Sequence, residues 1–172
     1  AQREGAHRPG EHGIGALLVV EGGRPVGLFT ERDVLVRVVD AGLEPARGTP
    51  SRADYLQWFF YLANTLQPAF RAWFYPDEMA GTANNDASRD KARAKIETCF
   101  ARLDAHFADG RRYFLGEPLS AVDFLATMLM RWSRNMPRQA IEWPHLSALA
   151  ARLKARPSFA KLYEREGLTE WS

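Results

Sequence analysis

The phrase Leu119-Ser120-Ala121-Val122-Asp123-Phe124 constrains the fold of this chain more than any other segment. A Ser followed three residues later by an acid, just ahead of an apolar run, marks the start of a helix. Ser120 is placed to cap the amide of Asp123. Asp123 is placed to reach back to the amide of Ser120, with Asp in the role usually held by Glu or Gln. Leu119 and Phe124 fall at the staple positions, one before the cap and four after it. The helix then runs strongly apolar through Leu129 and Met130 to Pro137. A helix apolar on most sides belongs inside a bundle, so residues 120–136 are expected to be the most buried element.

A buried central helix needs amphipathic neighbours, and the pattern supplies them. Over 51–75, Leu56, Phe59, Phe60, Ala63, Leu66, Phe70, Trp73 and Phe74 recur with a helical period and predict one buried face. Pro68 lies inside that run, lacks an N–H for the Asn64 carbonyl and predicts a kink. Pro76 closes the helix, and a polar loop follows over 77–87. A second helix is expected over 88–108, with Ala92, Ile96, Cys99, Phe100, Leu103 and Phe107 inward. Pro144 and Pro157 suit the first positions of two further helices, and Gly167 suits a C-terminal stop. The single Cys99 sits on an apolar stripe, which suits an inert core thiol and excludes an internal disulfide.

The first 46 residues read differently. GALLVVE (15–21) is a short apolar run between glycines, Gly22-Gly23-Arg24 is a turn signal, and PVGLFT (25–30) is a second strand. Val34, Leu35, Val38 and Val39 then recur at helical spacing and stop at Gly42. The polar leader of 13 residues has no apolar segment; it is expected to be disordered and is not a secretory signal. GLEPARGTP (42–50) is the seam between the two regimes.

Two family resemblances follow. YFLGEPLSAVDFLATMLMRW (113–132) resembles the buried central helix of glutathione transferases, where the capping box is a folding signal and not a catalytic group. TPSRADYLQWFFYLANTLQPAF (49–70) resembles the first helix of that family's C-terminal domain. WPHLSALAARLKARPSFAKLYEREG (143–167) resembles its closing helices. Strand, Gly turn, strand and the helix start GLFTERDV, over about 12–46, resemble the second half of a CBS domain. The resemblances imply a mainly α protein: a glutathione-transferase C-terminal-like helical domain over 49–172, preceded by a β-β-α CBS-like fragment over 1–46.

The transferase resemblance implies a role in a pocket for a hydrophobic small molecule and in a homodimer, with glutathione as the family's cofactor. In that family a thioredoxin-like βαβαββα domain carries the thiol-activating residue. Nothing in this sequence resembles that residue or the loops that hold the tripeptide, so no catalytic residue is assigned. Tyr55, Trp58 and Tyr61 on the first helix, with Arg131 and Trp132 on the capped one, are the pocket-wall candidates; core or dimer contact is an equal alternative for each. The CBS resemblance implies that Thr30 and Asp33 contact an adenosine nucleotide, while the plainer alternative is that they only start a helix.

Other chemistry is excluded by pattern. His7, His12, His106 and His145 have no metal-ligand spacing, and one Cys cannot complete a zinc site. Gly13-Ile-Gly15 leads into a strand, whereas a dinucleotide loop follows one. Residues 1–46 carry 5 basic and 7 acidic side chains and residues 47–172 carry 18 and 14, too even a balance for nucleic acid. No apolar run approaches the ~20 residues of a membrane span, so a cytoplasmic protein is expected. Three functions stay open: a transferase-family protein without full activity, a non-enzymatic dimerisation or interaction module with a vestigial nucleotide site, and a junction of two unrelated gene pieces.

Overall fold

The computed structural model describes residues 16–21, 24–30, 40–80, 85–169 and 171, the two strands by their backbone. The chain divides into two compact units, Ala1–Leu43 and Glu44–Ser172. In the first, β1 (Ala16–Glu21) pairs antiparallel with β2 (Arg24–Thr30), in a register running from Ala16 opposite Thr30 to Glu21 opposite Arg24. An irregularity between Val19 and Val20 shifts the register beside Pro25, which cannot donate to a ladder. The helix expected after β2, with Asp33, lies outside the described residues.

The second unit is helical. Helix α1 (Pro50–Tyr61) starts on Pro50, whose missing N–H costs nothing in a first turn. Arg52 fastens this start to the seam, through the Pro45 carbonyl at 3.0 Å and the Glu44 carboxylate at 3.0 Å. The chain then makes a π turn (Leu62–Leu66), in which the Gln67 amide reaches the Leu62 carbonyl, and continues as α2 (Gln67–Phe74). The irregularity expected at Pro68 thus takes the form of one extra residue in the turn before it. After α3 (Pro76–Ala80), helix α4 (Asn85–His106) buries Ala92, Ile96, Cys99, Phe100 and Leu103. Its charged residues Arg89, Asp90, Lys91 and Lys95 face solvent.

The face expected over 51–75 needs correction. The structure buries Tyr55, Trp58, Leu62, Leu66, Ala69 and Phe70, and leaves Leu56 and Phe60 exposed, Phe60 by 57%. Apolar doublets at 55–56 and 59–60 allow two phases of one helix, and the partner helix α4 decides between them. The π turn then changes the phase again, which brings Leu66 and Phe70 onto the same side as Leu62.

The capped helix is α5 (Ala121–Trp132), seven of whose twelve residues are buried; a 3₁₀ turn (Ser133–Asn135) extends it toward Pro137. Ser120 and Asp123 form the box, with both halves present and further bonds added. The Ser120 hydroxyl donates to Asp123 Oδ2 at 2.8 Å, as does the Ser120 amide at 2.8 Å. The other carboxylate oxygen accepts the Phe114 amide at 2.9 Å. All three groups donate, the arrangement that suits an ionised carboxylate. Burial nonetheless pushes the carboxyl above its ordinary range, against the pull of these donors. Phe124, at a staple position, is 38% exposed, and fully buried Phe114 closes this end of the helix instead. Phe114 sits in a tight turn where Tyr113 and Gly116 exchange backbone bonds of 2.8 and 3.0 Å. Gly116 has φ +96° there, a conformation that suits glycine.

Two connections that the sequence does not advertise hold the last third. The buried Ser133 hydroxyl donates to the Met130 carbonyl at 2.6 Å and accepts the Ala140 amide at 2.8 Å. Asp104 of α4 accepts the amides of His145 and Leu146 at 2.8 and 3.1 Å, capping α6 (Pro144–Lys154) from another helix. Pro157 opens α7 (Pro157–Glu166), and Gly167 ends it in the left-handed region, with the Leu168 amide on the Tyr163 carbonyl at 3.0 Å.

Where α1, α4 and the 113–116 turn meet, His106 lies 4.3 Å from the Trp58 ring centroid and 5.6 Å from that of Phe114. Its Nε2 is 2.9 Å from Arg111 Nη1 and 3.0 Å from the Phe114 carbonyl. A neutral ring can accept from the guanidinium, whereas a protonated one would set two cations side by side. Burial holds the pKa of His106 below its ordinary value. Arg111 adds to the lowering, while the Phe114 carbonyl, Asp109 and Asp54 pull the other way.

Two sets of variants test these arrangements. Ser120→Ala removes one donor from the carboxylate and should cost ~1 kcal/mol. Asp123→Ala strands buried donors and should cost ~3 kcal/mol. Asp123→Asn should recover little, because its NH₂ must face an N–H donor on one side. Urea denaturation that ranks Ser120→Ala as the most damaging would contradict this account. For His106 the folded pKa is below the unfolded value of about 6.5, so its contribution is present above that pH and is lost as pH falls through it. The denaturation midpoint should therefore drop between pH 7.5 and pH 5.5 by more in the parent than in His106→Gln. Equal drops would show that this ring does not titrate with unfolding.

Candidate functional site

The five pocket-wall candidates do not share one surface. Tyr55 and Trp58 are buried and Tyr61 is half-buried. Trp58 packs edge-on against Tyr61 at 5.7 Å and against Phe114 at 5.5 Å, besides His106. Arg102 of α4 lies over the Tyr61 ring at 4.8 Å and over Trp58 at 5.8 Å. Tyr55 meets Phe59 at 5.7 Å, and the Arg52 guanidinium lies 5.7 Å from its ring. Burial raises both phenols above their usual pKa; the Cys99 thiol beside Tyr61 and the charge of Glu44 near Tyr55 add to it. Trp58 and Tyr61 build the junction of α1 with α4, and Tyr55 packs within α1. Arg131 is half-buried near the end of α5.

Trp132 has other company. It lines a groove of about 500 Å³ with Ala63, Gln67, Pro68, Arg71, Phe74 and Tyr75. The groove runs between the second half of the bent first helix and the C-terminal end of α5. Phe74 meets Trp132 at 6.2 Å and 70°, and fully buried Phe70 backs both rings at 6.0 and 5.7 Å. Ala63 and Pro68 leave the space open, because neither extends a long side chain into it. Arg71 sets its guanidinium 5.7 Å from the Tyr75 ring and 2.8 Å from Glu78 Oε2. The volume fits a small-molecule site with an apolar lining and a few polar groups.

The groove residues other than Trp132 were not among the candidates. Pro68 was the available signal, since a proline inside an amphipathic helix marks an irregular turn; the aromatic run Trp73-Phe74-Tyr75 ahead of Pro76 was the other. Thr30 ends β2, and its proposed companion Asp33 lies outside the described residues. Among the described residues no cluster of three or more His, Cys, Asp or Glu side chains could hold a metal, and no helix is long and apolar enough to cross a membrane. Cys99 is a buried free thiol.

Known proteins with similar sequence and structure point one way. A family model described as the glutathione S-transferase C-terminal domain matches residues 49–157. Glutathione S-transferase GST-4.5 of Xanthomonas campestris pv. campestris is 28% identical over 122 residues, which are 69% of this chain and 58% of that protein. The chain thus spans less than two thirds of that curated relative. A sphingomonad glutathione S-transferase, solved with glutathione, is 26% identical with a TM-score of 0.67, over 90% of this chain and 74% of that one. The bacterial transferase BphK, solved as a ternary complex, shares the fold at 24% identity and a TM-score of 0.68, over 83% and 70% of the two chains. With that family's C-terminal domain matched over more than half its length, this chain belongs to the glutathione S-transferase family.

Proposed function

We propose that the helical unit forms the wall of a pocket for a hydrophobic electrophile, and that the 172-residue chain by itself binds such a molecule without conjugating glutathione to it. The observation that carries this is the groove, in which Phe74, Tyr75 and Trp132 from two helices offer aromatic surface backed by a rigid core. Conjugation further needs a thiolate at neutral pH, and a free thiol has a pKa near ~8.5. Lowering it takes a donor or helix N-terminus aimed at the sulfur, from a site that also fixes the tripeptide. The family resemblance places those groups on the thioredoxin-like half. Tyr55, a phenol that could donate in principle, is buried beside Phe59.

A homodimer is the accompanying proposal. Leu56 and Phe60 lie one turn apart on α1 and are both exposed, an apolar stripe on a helix through which family members pair. Sedimentation at micromolar concentration should show self-association that Phe60→Glu reduces; a monomer throughout would count against it.

The first unit supports a second reading. The second of its two antiparallel strands ends on Thr30, the residue that the CBS resemblance sets against a nucleotide. The same two successive antiparallel strands also fit the ββ step of the βαβαββα pattern, and the match to the sphingomonad enzyme covers 90% of the chain, more than the helical unit alone. Calorimetry with AMP and ATP separates the two, since only the CBS assignment expects heat that Thr30→Ala abolishes.

For the main proposal the assay is conjugation of 1-chloro-2,4-dinitrobenzene, run beside direct titrations of that compound and of glutathione. The expected result is no enzymatic conjugation, with dinitrobenzene binding that Trp132→Ala weakens about five- to tenfold, the scale of one aromatic contact. Saturable turnover that disappears on changing Tyr55 or Arg131 would show a thiol-activating site within this chain and overturn the proposal.

A further inference from the structure

Among the seven side chains that line the groove, Arg71 alone carries a formal charge. Its described carboxylate partner is Glu78 on the short helix α3, reached through Nη2 at 3.1 Å to Oε1 and 2.8 Å to Oε2. Both members of this pair are open to solvent, Arg71 by 67% and Glu78 by 47% of the side chain. An ion pair so exposed is weak, because water screens it and two long side chains must be held still. A guanidinium has five N–H donors in a fixed fork, and one nitrogen serves Glu78. Among the described residues none takes Nη1 or Nε, which can donate to a second anion, or the whole fork to an anion that displaces Glu78.

The aromatic surface next to this charge is directional. Phe74 and Trp132 are inclined at 70° with centroids 6.2 Å apart, so together they offer a face and an edge to a third ring. Tyr75 lies under the guanidinium, 5.7 Å from it, and places an aromatic face beside the cation. An occupant that satisfies both features has a flat apolar body and an anionic end.

We propose that the groove selects planar aromatic carboxylates, with the rings against Phe74 and Trp132 and the carboxylate on Arg71 in competition with Glu78. This rests on the assignment of the groove as a small-molecule pocket and adds the chemical class of its ligand. Glu78 acts as an internal competitor that lowers affinity for such anions and bars uncharged ligands from nothing. Arg71 sets specificity and has no part in bond making.

The test uses two ligands of the same shape, biphenyl-4-carboxylate and biphenyl-4-carboxamide, titrated calorimetrically into the full chain at low salt. The parent should prefer the carboxylate by about tenfold, the scale of one charge-assisted contact. Arg71→Gln should erase that preference, with the carboxylate losing more affinity than the carboxamide. Glu78→Gln should widen it, and Trp132→Ala should weaken both ligands alike. Equal affinity for the two ligands, or a carboxylate preference that survives Arg71→Gln, overturns the proposal while leaving the pocket in place. If neither ligand binds, or if Trp132→Ala changes neither affinity, the pocket assignment fails and the proposal with it. Arg71 and Glu78 both lie outside the core, so their variants should keep the parent's circular dichroism.

Discussion

The Asp123 carboxylate is the interaction on which the helical unit depends. Its two oxygens take the amide and hydroxyl of Ser120 on one side and the amide of Phe114 on the other. A local cap thereby becomes a tertiary joint, because Phe114 belongs to the turn that returns the chain from α4. With the Phe114 amide fixed by α5, its ring meets Trp58, His106 and Phe107 at 5.5, 5.6 and 4.9 Å, and α1 and the end of α4 converge with it on one aromatic cluster. Burying a carboxylate is costly unless its lone pairs are met, so the joint forms only when all three segments are in place.

The π turn at Leu62–Leu66 does for the groove what Asp123 does for the core. An α-helix advances about 100° per residue, so one added residue rotates everything downstream relative to everything upstream. The first half can then bury Tyr55, Trp58 and Leu62, with Trp58 against His106 of α4, while the second half keeps Phe70 inside and turns Arg71 and Phe74 toward Trp132. Pro68 stabilises this arrangement, because a regular turn would leave the Asn64 carbonyl without an amide donor and crowd it with the ring.

What could be read from the sequence followed the range of each interaction. Ser120 and Asp123 stand three residues apart, so their pairing is legible without a fold. The Phe114 amide that completes the site lies nine residues away across a glycine turn, and no local pattern announces it. The bundle and its proline-started closing helices were likewise local signals. The buried face of α1 was not, because the doublets Tyr55-Leu56 and Phe59-Phe60 are apolar in either phase. Trp132 was identifiable as an aromatic at the end of a buried helix. Arg71 was not, since a lone arginine on an amphipathic helix looks like any solvated residue until α5 and Glu78 are placed beside it.

The cap that Asp104 supplies to α6 sets an order of assembly. The amides of His145 and Leu146 belong to the first turn of a helix 11 residues long, below the length at which helices hold in isolation. Their acceptor lies 41 and 42 residues upstream, on a helix that must already be docked for its carboxylate to point there. During synthesis α4 is therefore complete well before α6 leaves the ribosome, and the C-terminal third forms on a template, not by its own propensity. Truncation upstream of residue 104 would remove the template, whereas truncation after 166 would leave it whole.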